Sequence, residues 1–256
     1  GLDLVMLDPE RMAAWARLEP ALLARPDPLA PFTFFTTSGT TGEAKIIPIL
    51  HGRLVQQFSR AWTGCRLTLT SPEYHFAKRG FLYAVLGGSA IAIRGSSNLP
   101  AARLCAALGA DTIVCMAAHA RELVAEAGRT GRLPPGTVVQ FSGSRSSAPM
   151  RRELLEHVCD GVAVTYSMQE CGSIARTVER SVGDVSESVG RPHPGIEVEI
   201  VDERGTPLPQ GEIGEIRIRA PGMATGYVDD ERADVMHFRG GWFHPRDLAS
   251  FSPDGS

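Results

Sequence analysis

Apolar and polar positions follow two rhythms along this chain, and the change of rhythm divides it. Residues 2–7 are a short, mainly apolar run, residues 9–23 carry apolar positions at helical spacing, and the proline-rich 25–31 reads as a linker. Residues 32–35 are strand-like and lead into a Thr/Ser/Gly turn; 46–49 are strand-like again and precede a helical stretch at 52–62. From about residue 84 to 158, β-like runs at 90–93, 112–116 and 138–141 alternate with helical segments at 100–108, 119–127 and 148–158. That alternation predicts an α/β fold with a mostly parallel sheet flanked by helices, in which ligands gather at the carboxyl ends of the strands. After 162–166 the texture changes: 196–202 and 214–219 alternate apolar with polar residues around Asp202-Glu203-Arg204-Gly205 and Pro209-Gln210-Gly211 turns. A smaller antiparallel β-subdomain is expected there. The expected division is 1–31 as an N-terminal segment and linker, 32–188 as the α/β part, and 189–256 as the antiparallel part.

Composition narrows the partners. Hydrophobic residues at 43% and charged residues at 21% are ordinary for a globular chain and exclude disordered, collagen-like and disulfide-stapled classes. A net charge of −3 without a basic stripe gives no reason to expect nucleic-acid or membrane partners. The five cysteines have no Cys-x-x-Cys spacing, so reduced, mostly buried thiols are expected rather than a disulfide framework or zinc site. The most apolar stretch, 81–93, is too short to span a bilayer, and the first residues do not read as a signal peptide, so a cytoplasmic location is expected.

The strongest chemical signal is Thr36-Thr37-Ser38-Gly39-Thr40-Thr41-Gly42-Glu43-Ala44-Lys45 between two strand-like runs. Glycines let backbone N–H groups approach an anion, hydroxyls add donors, and the lysine supplies a compact charge, so the segment is a candidate phosphate cradle. A simple turn is the competing reading. It is not a Walker loop, because Ala44 precedes Lys45 and Ile46 follows it.

The string from Thr37 to Lys45 closely resembles the signature loop of the adenylate-forming superfamily, which comprises acyl-CoA synthetases, peptide-synthetase adenylation domains and luciferases. Further segments resemble the same family in the same order. Ser142-Gly143-Ser144 follows a predicted strand, like the family segment that lines the adenine. Tyr166-Ser167-Met168-Gln169-Glu170 resembles Tyr-Gly-x-Thr-Glu, which implies that Tyr166 stacks on adenine, Gln169 stands for the threonine at the α-phosphate, and Glu170 binds magnesium. Ser167 replaces the family's glycine; an amide at 169 can still donate to a phosphate oxygen. Gly190-Arg191-Pro192, strand 197–201, the hairpin Gly211 to Ile216 and Gly226-Tyr227 resemble structural segments. Gly241-Trp242-Phe243-His244-Pro245-Arg246-Asp247 resembles Gly-Trp-Phe-x-Thr-Gly-Asp, which implies that Asp247 accepts hydrogen bonds from the ribose hydroxyls. Pro245 and Arg246 stand where Thr-Gly is expected, so the local turn should differ. His75 sits loosely where the family often has an aromatic residue or histidine near the acyl pocket; a structural role is the preferred reading for it and for His51, His193 and His244.

The resemblance spans about residues 32–254. The family's longer lead-in and its small C-terminal, lysine-bearing domain have no counterpart in this stretch and are expected to be absent. The implied activity is ATP- and magnesium-dependent activation of a small carboxylic acid as an acyl-adenylate, in which Lys45, Gln169 and Glu170 act on the reacting phosphates. Transfer to a thiol, CoA or the phosphopantetheine of a carrier protein, would follow in the complete enzyme. A nucleotide-binding module without turnover is the alternative. A serine hydrolase using Ser38 or Ser144 is disfavoured because no Gly-x-Ser-x-Gly elbow is present.

Overall fold

A computed structural model describes residues 14, 17, 25–37, 44–58, 62–71, 75–95, 97–143 and 145–256. The apolar run 2–7 and most of the helical pattern 9–23 lie outside these residues, as does 38–43. Strands β1 (Pro31–Thr36) and β2 (Ile46–Leu50) form an antiparallel pair, followed by α1 (His51–Phe58). Then β3 (Cys65–Thr68), α2 (His75–Gly87), β4 (Ala90–Ile93), α3 (Ala101–Leu108), β5 (Ala110–Cys115), α4 (Ala120–Thr130), β6 (Val138–Phe141), α5 (Ala148–His157) and β7 (Gly161–Met168) continue the βα alternation. Strands β8 (Gly172–Glu179) and β9 (Arg191–Pro192) complete a seven-stranded sheet ordered β4-β3-β5-β6-β7-β8-β9. Its first five strands are parallel, and β8 and β9 join antiparallel. The expected α/β class holds, with a mostly parallel sheet.

Side-chain alternation on that sheet explains both its stability and its use. Leu67, Ile113, Cys115, Val139, Phe141 and Val162 point to one face and pack with Cys105, Leu123 and Leu154 of the helices into a core from which water is excluded. The residues between them in sequence, among them Arg66, Thr68, Val114, Gln140 and Thr165, point to the other face and line a cleft. All five cysteines are free, and four are buried. Burial pushes the Cys105 thiol up to about 11 and the Cys115 thiol to about 12, so both stay protonated at neutral pH.

The remaining strands, β10 (Glu197–Val201), β11 (Gly214–Arg219), β12 (Phe238–Arg239), β13 (Trp242–Phe243) and β14 (Leu248–Ala249), form an antiparallel sheet, with α6 (Glu231–His237) leading into β12. In β11 the apolar Ile216 and Ile218 are buried against Cys171, Ile174 and Phe243, as period-2 alternation requires. Gly190 links the sheets' strands tightly: at φ +91°, a Cβ there would lie 2.2 Å from the Arg176 carbonyl, so no other residue fits.

Three elements are not apparent in the apolar pattern. In β3, Arg66 faces the cleft and breaks the apolar run. In α2 the apolar residues are spread around the helix with Lys78, Arg79 and Gly80 among them, so no clean stripe appears. The third, β8, extends the large sheet by an antiparallel hairpin within 32–188, ahead of the antiparallel part expected at 189–256. Among the described residues no helix is long and apolar enough to cross a membrane.

Candidate active site

The antiparallel register of β1 and β2 sets the base of the Ser/Thr/Gly turn. Thr36 faces Ile46, and the Thr37 N–H donates to the Lys45 carbonyl at 2.9 Å, so Thr37 and Lys45 stand side by side. Ser38, Gly39, Thr40, Thr41 and Gly42 lie outside the described residues. Lys45 Nζ is 3.2 Å from His237 Nε2 and 5.3 Å from the centre of the Tyr227 ring. The His237 tautomer follows from its neighbours. Nδ1 lies 2.8 Å from the His244 carbonyl, which can only accept, so Nδ1 carries the proton and Nε2 is left to accept from the Lys45 ammonium.

Tyr227 joins this cation to Glu170. Its hydroxyl donates to Glu170 Oε1 at 2.8 Å, and its N–H donates to Asp234 Oδ1 at 2.7 Å. Asp234 lies on α6, whose N-terminus is capped by the Asp230 carboxylate accepting from Ala233 N at 3.0 Å, and whose last residue is His237. One short capped helix therefore positions both Tyr227 and His237. Burial, and then the Glu170 charge, raises the Tyr227 phenol above its ordinary range, so the hydroxyl remains a donor.

Glu170 is buried, not the solvated surface carboxylate that a lone glutamate after a strand suggests. Its carbonyl accepts from Ala224 N at 2.7 Å, and its second carboxylate oxygen takes no hydrogen bond among the described residues. The neighbouring Gln169 carbonyl accepts from Arg79 at 3.1 Å and its side-chain Oε1 at 3.5 Å, which leaves the amide N–H2 as its outward donor. At the carboxyl end of β6, Ser142 is buried and Gly143 exposed, while Ser144 lies outside the described residues. Thr37, Ser142, Gly143, Gln169 and Glu170 line one cleft of about 740 Å³.

Tyr166 and Asp247, 81 positions apart, are brought together: the phenol donates to Asp247 Oδ2 at 2.7 Å. They pair with each other outside the cleft's lining, and Tyr166 packs on the core beneath the antiparallel sheet. Asp247 is exposed, with its backbone held by Ile216 N at 3.0 Å. In the turn before it, Arg246 adopts φ +71°, the left-handed region that costs a side-chain-bearing residue about 1 kcal/mol. Arg246→Gly is accordingly expected to stabilise the fold slightly, by roughly 0.5–1 kcal/mol, read as a higher denaturant midpoint at unchanged slope.

Of the histidines flagged in the sequence, His51 packs edge-on against Phe32, His193 bonds Ser173 Oγ at 3.0 Å, and His244 bonds Glu215 Oε1 at 3.1 Å. The His75 side chain lies outside the described residues. Sequence reasoning missed His237 and Arg79 and gave Tyr227 no chemical role; the Gly226-Tyr227 match was the available signal for the last.

Among the described residues no three His, Cys, Asp or Glu side chains cluster as a metal cage. A hard cation that keeps several waters and substrate phosphate oxygens needs only one protein carboxylate, and the spare oxygen of Glu170 fits that requirement.

A mostly parallel sheet with a cleft on its polar face is an α/β arrangement of the kind in which small ligands commonly bind near the carboxyl ends of the strands. The family model described as AMP-binding enzyme matches residues 4–228, and the chain belongs to that family. It is 26% identical over 248 residues to a probable CoA ligase, CCL9, of Humulus lupulus, covering 90% of this chain and 46% of that protein. It is 26% identical over 252 residues to enterobactin synthase component E of Escherichia coli (strain K12), covering 91% and 46%. Among solved structures, O-succinylbenzoate Coenzyme A Synthetase from Bacillus subtilis in complex with AMP shares the fold at a TM-score of 0.77 and 21% identity, over 90% of this chain and 49% of that one. The chain thus spans about half the length of the curated relatives it matches.

Proposed function

We propose that this chain binds ATP and a small carboxylic acid and supports formation of an acyl-adenylate, with transfer to a thiol, CoA or a carrier's phosphopantetheine, completing the reaction. The observation that carries this reading is the meeting of distant segments: Lys45 contacts Tyr227, Tyr227 contacts Glu170, and Tyr166 contacts Asp247. The Bacillus subtilis synthetase has also been solved with ATP and a magnesium ion, which agrees with the choice of nucleotide.

In the proposed step a carboxylate oxygen of the acid forms a bond to the α-phosphorus while the bond to the bridging oxygen of pyrophosphate breaks, and that oxygen keeps the electron pair. Lys45 offsets charge that builds on the leaving pyrophosphate. The Gln169 amide, oriented by Arg79, donates to an α-phosphate oxygen. Asp247 accepts from the ribose hydroxyls beside Tyr166, and Ser142 and Gly143 form the wall against the adenine. A magnesium ion held by Glu170 would neutralise phosphate charge.

ATP–pyrophosphate exchange over a panel of carboxylic acids tests the reading. Acid-dependent exchange is expected; its absence alongside calorimetric ATP binding would favour a nucleotide-binding module without turnover.

A further inference from the structure

The cleft's floor is the polar face of the large sheet, and its charges do not balance. Arg66, Arg79 and Arg176 line it, against Glu170 as the sole carboxylate among its described lining residues. Arg66 lies 3.8 Å over the Trp62 ring, reaches Gln140 Oε1 only at 3.5 Å, and makes no ion pair among the described residues; its Nε is buried without a partner. Arg176, opposite Thr165 in the β7–β8 register, makes no hydrogen bond or ion pair through its side chain among the described residues. Thr165 Oγ1 and Trp62 Nε1, both on lining residues, are also buried without partners. What the cleft offers a ligand is therefore the pair of guanidinium groups without a carboxylate partner, which suit a ligand with charged acceptors. Loss of water around Arg66, with repulsion from Arg176, lowers its guanidinium to about 10, so it remains a cation at neutral pH.

Position separates this charge from the nucleotide's provisions. Gln140, which Arg66 touches, lies two strand residues before Ser142, so the guanidinium stands roughly 7 Å inward from the carboxyl edge where Ser142, Gly143 and Gln169 gather. Ile91, Val114 and Met116 line the same cleft. Arg66 thus gives the cleft a cation set back from the carboxyl edge, while Arg176, opposite Thr165, starts from the level of Ser142 and apolar residues line the space between.

We propose that the acid taken into this cleft carries a second carboxylate at the end remote from the one activated, across an aromatic or short apolar body, and that Arg66 binds it with help from Arg176. This rests on the acyl-adenylate reading, which it deepens by naming the substrate class.

Matched pairs test it: terephthalate against p-toluate, and adipate against hexanoate, in ATP–pyrophosphate exchange by the wild-type protein and by Arg66→Gln, Arg66→Lys and Arg176→Gln variants. The wild type should favour the dicarboxylate of at least one pair tenfold or more in kcat/KM. Arg66→Gln should abolish that preference with the KM for ATP unchanged, Arg66→Lys should keep part of it, and Arg176→Gln should reduce it about threefold. Equal use of both members by the wild type, or equal loss for both in Arg66→Gln, would overturn the proposal. If melting curves show Arg66→Gln unfolded, Arg66→Lys and Arg176→Gln carry the comparison, and an unchanged preference in both overturns it. If no acid supports exchange, the adenylation reading fails by itself. Calorimetric binding of terephthalate to the wild type but not to Arg66→Gln would then still support the dicarboxylate slot, and no binding to either would overturn it.

Discussion

The Glu170→Gln variant is expected to lose about a hundredfold or more in ATP–pyrophosphate exchange while folding normally. A magnesium ion would be worth several kcal/mol in the proposed step, and Glu170 is the one carboxylate among the described lining residues of this cleft that would hold it. Glutamine keeps the shape and keeps an oxygen that can accept from the Tyr227 hydroxyl, so the 2.8 Å link that positions Tyr227 under Lys45 survives. What is lost is the negative charge. Exchange rates at increasing magnesium concentration, with melting curves in parallel, check this. Partial recovery at high magnesium is expected, and wild-type exchange would remove Glu170 from the proposed chemistry.

The second large effect concerns stability. Arg151 on α5 and Glu179 on β8 are each 2% exposed and form an ion pair at 2.6 Å; Arg151 also donates to the Ser186 carbonyl, and Ser186 N donates to the Glu179 carboxylate at 3.3 Å. This network ties the helical layer to the antiparallel strand that follows Glu170. Arg151→Met leaves a carboxylate buried without its cation, which costs about 3–5 kcal/mol. The double variant Arg151→Met/Glu179→Leu should recover most of that loss, because two apolar side chains need no compensation in a dry site. Denaturant midpoints of the two variants check both statements; a single variant as stable as the wild type would show that water reaches the pair.

Much of the fold was legible because its signal is local. Strand residues 90–93, 138–141 and 214–219 coincide with β4, β6 and β11, since each is a short apolar or alternating run bounded by turn residues. Helices α3 and α5 likewise fall within the segments read as helical. What escaped is set by tertiary context. Arg66 sits in a strand interior because that strand face lines an open cleft rather than the core, and an apolar pattern cannot register a strand that places a cation there. Arg151, next to Arg152 on a helix, reads as solvated surface; only its partner 28 positions away makes it core.

The candidate site divides in the same way. Lys45, Tyr166, Gln169, Glu170 and Asp247 are proposed from contiguous motifs, and the structure draws Tyr166 to Asp247 across 81 positions. His237 lies in no motif. Its placement depends on α6 being capped by Asp230 and on the His244 carbonyl fixing its tautomer, two contacts that exist only after folding. Arg79, which orients the Gln169 amide, reaches it from a helix 90 positions earlier and leaves no mark in the local sequence either.

A crystal structure of the protein with ATP and magnesium bound tests the central claim most directly. The account predicts one nucleotide with its terminal phosphates at Lys45, its metal on Glu170, its α-phosphate at Gln169 and its ribose hydroxyls on Asp247 beside Tyr166. Nucleotide bound in another place, or in a pose that leaves Lys45 and Asp247 touching no part of the same molecule, would contradict it.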